Sequence, residues 1–204
     1  MNYSKAEIAD YINEIASRKI SPGGGSASAL VVATGAALNL MVINFGISPS
    51  ADEEKISKLN VLKERQTKLM NGALRFVNDD CVAFTDLMSA ISQKADTPEK
   101  YTAAAEVPLN ICRVARESME IAGKTLDNVK GFITADIACS KNMLIAAFYS
   151  AKINVEMNLK GMGKGEKPEN FRREIECLKK GIDEDAVGIE DKLHKGGIVK
   201  ETKK

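Results

Sequence analysis

From Leu59 to Leu87 the chain holds one pattern. Leu59, Leu62, Gln66, Leu69, Ala73, Phe76, Asp80, Ala83 and Leu87 follow one another at spacings of three and four. That period is the buried stripe of an α-helix, close to a coiled-coil seam. No proline interrupts the stretch from about Ser50 to Ser92, so the pattern predicts a single long helix. A helix of that length buries its stripe only against other helices. The expectation is an all-α fold, a multihelical bundle with long helices, or an intertwined homodimer of such bundles.

The rest of the sequence fits the same class. Ser4 and Glu7 form an S-x-x-E capping signature for a first helix ending near Ser17. A second helix is expected from Gly25 to Phe45, and a fourth from Thr97 to Leu126. Pro108 falls inside the fourth and is expected to kink or split it. A fifth runs from Thr134 to Leu159, stopped by Gly161 and Gly163, and a sixth from Pro168 to Lys195, loosened at Gly181. No stretch alternates as a strand would, and no repeat is visible. One domain over residues 1–204 accounts for the chain. The charges nearly balance at +1, which gives no reason to expect nucleic acid or a cationic partner. The opening residues have neither signal- nor transit-peptide character, so a cytoplasmic protein is expected. The apolar run Ala27–Phe45 is rich in alanine and glycine and reads as a buried helix, not a membrane span.

Four widely spaced cysteines, Cys81, Cys112, Cys139 and Cys177, lack metal-finger spacing and read as reduced core thiols. The single histidine, His194, lies near a basic tail and reads as a solvated side chain, which disfavours histidine-dependent nucleophilic mechanisms and multi-histidine metal sites.

Three positions invite a functional reading. Asp80 interrupts the seam among Phe76, Ala83 and Phe84, where a carboxylate must be desolvated. It is either a structural partner, in a buried hydrogen bond or salt bridge, or a working acid or base. Its neighbour Asp79 lies off the seam and four residues after Arg75, a spacing that suits an exposed ion pair. On the fifth helix Asp136, Ser140, Met143, Ala147, Ala151, Asn154 and Asn158 share one side, polar at both ends and small between. That side suits close packing with structural amides as well as a ligand wall. Lys141 and Lys152 read as solvent-facing side chains or anion contacts. The segment "ISPGGGSASAL", Ile20 to Leu30, places three glycines at the mouth of the second helix. It is either a tight turn or a place where main chain meets a ligand. It matches neither a P-loop nor a dinucleotide fingerprint.

Taken together, these segments resemble the cyclodeaminase family of folate enzymes. "SPGGGSASAL" leads an Ala/Gly-rich helix. "NDDCVAF", Asn78 to Phe84, resembles the family's D-x-x-x-F segment, and "VPLN", Val107 to Asn110, its V-P-L element. "ADIACSKNMLIAAFYSAKINVEMNL", Ala135 to Leu159, resembles its Asp-led helix. They occur in family order along nearly the whole chain.

The resemblance implies an all-helical intertwined homodimer and a tetrahydrofolate derivative as substrate, polyglutamylated forms included. It implies Asp80 as the catalytic aspartate, with Gly23, Gly24, Gly25, Ser26, Asp136 and Asn154 lining the pocket. No cofactor beyond the folate, no metal, no nucleic acid and no membrane are expected. No transferase domain accompanies the motif set, so a stand-alone enzyme is expected. The implied reaction is formiminotetrahydrofolate cyclodeamination, with ammonia and 5,10-methenyltetrahydrofolate as products. The alternatives are methenyltetrahydrofolate hydrolysis to the 10-formyl compound and a non-catalytic helical binding protein. The last would tie Asp80 to an arginine and leave no cavity at the glycines.

Overall fold

The computed structural model describes residues 2–49 and 51–198. Six helices follow in order: α1 (Ile8–Ala16), α2 (Gly24–Gly46), α3 (Glu53–Ser92), α4 (Pro98–Asn128), α5 (Ala135–Met162) and α6 (Glu166–Lys195). Short 3-10 turns, Tyr3–Lys5 and Phe132–Thr134, precede α1 and α5, and no strand occurs among the described residues. The all-α expectation holds. Ser50 and the end of the basic tail lie outside the described residues.

The long seam forms one unbroken helix. Asp52 caps α3 by accepting from the Lys55 N–H at 2.8 Å, and Glu53 and Glu54 complement the positive helix end. At 1.5 Å per residue the 40 residues of α3 span about 60 Å. Leu59, Leu62, Gln66, Ala73 and Leu87 are buried along it.

α2 is the spine of the bundle, packed against α3, α4 and α5. Small residues let its neighbours close in: a Cβ on Gly35 would press on Leu144 at 3.1 Å, and Ser140 of α5 donates to the Gly35 carbonyl at 2.8 Å. α2 is long and apolar enough to cross a membrane by length and composition, yet just over half of it is buried among the other helices. Inside, Asn39 donates to the Ser118 carbonyl, and the Gln66 amide to the Ala36 carbonyl and the Ser118 hydroxyl.

Several local expectations need correction. Ser4 does not cap α1; its hydroxyl and N–H both turn to Asn2 Oδ1 within the preceding 3-10 turn. Pro108 does not split α4. A proline cannot donate to the carbonyl four residues back, which here belongs to Ala104. Asn158 of α5 supplies the missing donor, its Nδ2 lying 2.7 Å from the Ala104 oxygen. Nor does Gly181 loosen α6: the Arg116 side chain lies against its Cα, where a Cβ would overlap the guanidinium. Arg116 pairs there with Asp185 at 2.9 Å. Only Cys81 and Cys112 are core thiols; Cys139 and Cys177 are exposed, and all four are free. His194, read as a solvated side chain near the basic tail, is part-buried in the last turn of α6, 3.3 Å from Glu190.

Candidate functional site

The N-terminus of α2 is open because of its sequence. Gly23 takes the cap position in an extended conformation and has no side chain with which to accept from the first turn. The substitute comes from another helix. The Asp80 carboxylate of α3 lies directly on the Gly25 Cα, where any Cβ would overlap both oxygens. The Ser26 backbone N–H donates to it. Asp80 therefore does from a distance what an N-cap aspartate does locally, and glycine at position 25 is what lets it come so close.

Two forces oppose each other on this carboxylate. Burial disfavours its charge, while the Ser26 N–H favours it. Burial wins, and the pKa is pushed up from 3.8 to about 6. Phe76 and Phe84, one turn before and one turn after on the same face of α3, are each part-buried. Asp80 makes no ion pair among the described residues, so the arginine partner expected of a purely structural acid is not there. Asp79 is exposed and makes no pair with Arg75, contrary to the expected helical ion pair.

Ser26 is fully buried and doubly held. Its hydroxyl donates to the Val77 carbonyl of α3 at 2.6 Å and meets the Tyr11 hydroxyl of α1 at 2.8 Å. Ser21 reaches Thr85 at 3.3 Å, fastening the loop before the glycines to α3. From α5, the Asn154 amide approaches Gly24, 3.4 Å from where its Cβ would stand. Gly23 faces open space.

The structure thus brings together Gly23, Gly24, Gly25, Ser26, Asp80 and Asn154. Asp136 is not among them. It precedes Asn154 by 18 residues on one straight helix, about 27 Å along the axis. Asn158 is taken up by Ala104 and Ser140 by Gly35, so both serve the packing. Lys141 pairs with Glu190, and Lys152 with Glu156 and Glu176, so neither is a free solvent-facing cation. Among the described residues no three of His, Cys, Asp and Glu gather as a metal ion would require. Tyr11 was not singled out by the sequence. Its spacing of four from Ile15 marks it as core, but nothing in the pattern links it to Ser26.

A partly desolvated carboxylate beside a helix mouth with free N–H groups can bind polar ligand atoms and move protons on them.

Comparison with known proteins adds independent findings. The model of the formiminotransferase-cyclodeaminase family matches residues 7–177. The chain is 30% identical over 182 residues to a methenyltetrahydrofolate cyclohydrolase from Methylorubrum extorquens, covering 84% of this chain and 88% of that protein. It is 25% identical over 161 residues to the formimidoyltransferase-cyclodeaminase of Gallus gallus, spanning 74% of this chain but 30% of that longer protein. The crystal structure of a formiminotetrahydrofolate cyclodeaminase from Thermotoga maritima superposes with a TM-score of 0.89 at 23% identity, over 94% of this chain and 97% of the other. That likeness speaks for the fold.

Proposed function

Because the chain belongs to the formiminotransferase-cyclodeaminase family, we propose that it is an enzyme acting on the one-carbon unit of a tetrahydrofolate derivative, with Asp80 as the acid–base group. The observation that carries this reading is the seat of the Asp80 carboxylate on Gly25, at the open mouth of α2. The first reaction is cyclodeamination of 5-formiminotetrahydrofolate. N10 attacks the formimino carbon, and Asp80 takes the N10 proton. The same carboxyl returns a proton to the formimino nitrogen as the C–N bond breaks and ammonia leaves. The product is the 5,10-methenyl cation. A group with a pKa of about 6 populates both protonation states near neutrality, as this two-way transfer needs. The amidinium and methenyl groups are cationic, so the ionised carboxylate also stabilises charge that persists through the reaction.

A second reading has a specific observation behind it, the 30% identity to a cyclohydrolase over 88% of that protein. Asp80 would then deprotonate a water that attacks the methenyl carbon and return that proton to N5 as the C–N5 bond breaks; loss of the hydroxyl proton to solvent leaves the 10-formyl compound. Purified protein offered each substrate separately decides. Ammonia release from the formimino compound supports the first reading, and turnover of the methenyl compound alone supports the second. Turnover of neither overturns both.

The active form is read as a cytoplasmic homodimer that needs no cofactor beyond the folate, with polyglutamylated folates among its substrates. Support for the dimer comes from α2. One side of it, bearing Val31, Ala37 and Phe45, is apolar yet exposed, with Met41 part-buried between them. A hollow of about 400 Å³ runs along it at Ala37, Leu40, Met41, Asn44 and Phe45. A two-fold axis near Thr34 would run two such helices antiparallel. It would bring the far end of one bundle, where Asp136 stands, towards the glycine mouth of the other. Asp136 takes part in folate binding by that route.

A further inference from the structure

The cavities, ion-pair clusters, free cysteines and exposed apolar faces outside the site offer less than one buried hydrogen-bond string beside it. Of the nine residues of α1 only Tyr11 is buried, at 3% exposure, while Ile8 and Ile12 of the same helix stand in solvent. The direction of the string follows from the donor inventory. Ser26 has one hydroxyl proton, and the Val77 carbonyl can only accept, so that proton points to Val77. The Tyr11 hydroxyl at 2.8 Å is therefore the donor to Ser26 Oγ. The string runs Tyr11 O–H to Ser26 O–H to Val77 C=O, and Val77 lies one turn before Asp80 on α3. The Ser26 hydroxyl thus ties the first turn of α2 to α1 and α3, and with it the place where the Ser26 backbone N–H meets Asp80.

We propose that Tyr11 is a positioning residue for the Asp80 carboxylate, acting through Ser26. Tyr11 does not touch the carboxylate's hydrogen-bonding face. It holds the serine whose main-chain N–H does. The inference rests on Asp80 being the working acid–base group only for its consequence in turnover; its structural content stands apart. The titratable groups facing Asp80 are Tyr11 from α1 and Cys81 from α3, and burial raises the pKa of each, keeping both neutral where Asp80 titrates. α2 presents Gly25 and the Ser26 N–H, and α5 the uncharged Asn154 beside Gly24.

The test follows the Asp80 side-chain carboxyl by carbon NMR in protein labelled at aspartate, with Asp80→Asn assigning the signal. Tyr11→Phe keeps the ring and removes the donor. Ser26→Ala removes both side-chain bonds and keeps the N–H. Loosening a hydrogen bond to the charged form raises the titration midpoint by about half a pH unit, roughly threefold in proton affinity, a fraction of what a full charged hydrogen bond is worth. Both variants show that rise, and the double variant rises no further than Ser26→Ala alone, because the two side chains act along one string. Turnover at pH 6 falls about twofold in kcat with KM little changed. Midpoints that stay put or fall, or shifts that add in the double variant, overturn the inference, even where the melting temperature drops. Should Tyr11→Phe not fold, Ser26→Ala alone decides by the same midpoint. If the midpoints move as described but Asp80→Asn remains active, the proposed function fails and the positioning role survives.

Discussion

Replacing Asp80 by asparagine should stabilise the protein while disabling it. The fold holds this carboxyl at a pKa of about 6, whereas an unfolded chain leaves it near 3.8. Between those values the folded state binds more protons than the unfolded one, so stability falls as pH rises. The contribution is intact below pH 3.8 and lost once pH passes 6. The full displacement corresponds to about 3 kcal/mol, at about 1.4 kcal/mol per tenfold in proton affinity. Partial exposure of Asp80 makes that an upper bound. Asparagine has nearly the same shape, carries no charge, and still offers an oxygen to the Ser26 N–H. At pH 8 the variant should gain about 1–3 kcal/mol, a rise in Tm of several degrees at roughly 2–4 °C per kcal/mol for a chain of this size. At pH 4.5 most of the gain disappears. Calorimetry of both proteins at the two pH values reads it directly. A variant less stable than the parent at pH 8 refutes the reasoning, since the charge would then be satisfied by its surroundings and not imposed on them.

The neighbouring contacts give further outcomes. Gly25→Ala drives a methyl into the carboxylate, so turnover should fall at least tenfold and stability by about 1–3 kcal/mol, the usual cost of overpacking; steady-state kinetics and a melting curve check both. Asn158→Leu leaves the Ala104 carbonyl beside Pro108 without a donor and should cost about 1–3 kcal/mol by denaturant titration, with kcat nearly unchanged. Val31→Asp on the open face of α2 should shift the protein from dimer to monomer in light scattering and depress turnover with it; a monomeric parent would dispose of the interface.

How much of this was legible in the sequence depended on whether it was a local matter. α2 begins at Gly24 and ends at Gly46, within a residue of where the glycines and the apolar run set it. The α3 seam was readable because one period persisted for many turns, and its single acidic breach pointed to Asp80. What failed was tertiary. Proline at 108 breaks a helix unless a donor arrives from elsewhere, and Asn158 is fifty residues away in sequence. Asp136 and Asn154 share a helix face, and the 18 residues between them, at 1.5 Å each, already put them about 27 Å apart within a chain; the sequence pattern held that distance, and a shared face was not enough to make them one site. Arg75 and Asp79 have the spacing of an ion pair, yet spacing alone does not hold two solvated side chains together. Tyr11 was hidden because its hydrogen bond to Ser26 joins two helices, a contact for which the sequence has no periodic signal.

The most direct test of the acid–base role is the pH dependence of turnover, with the formimino and methenyl substrates, for the parent and for Asp80→Asn. Parent activity should fall as pH drops through about 6, where the carboxylate loses its ability to accept a proton. The asparagine variant should be slower by about 10²–10⁴-fold and lack that limb. An asparagine variant within a few-fold of the parent, showing the same limb near pH 6, would contradict it.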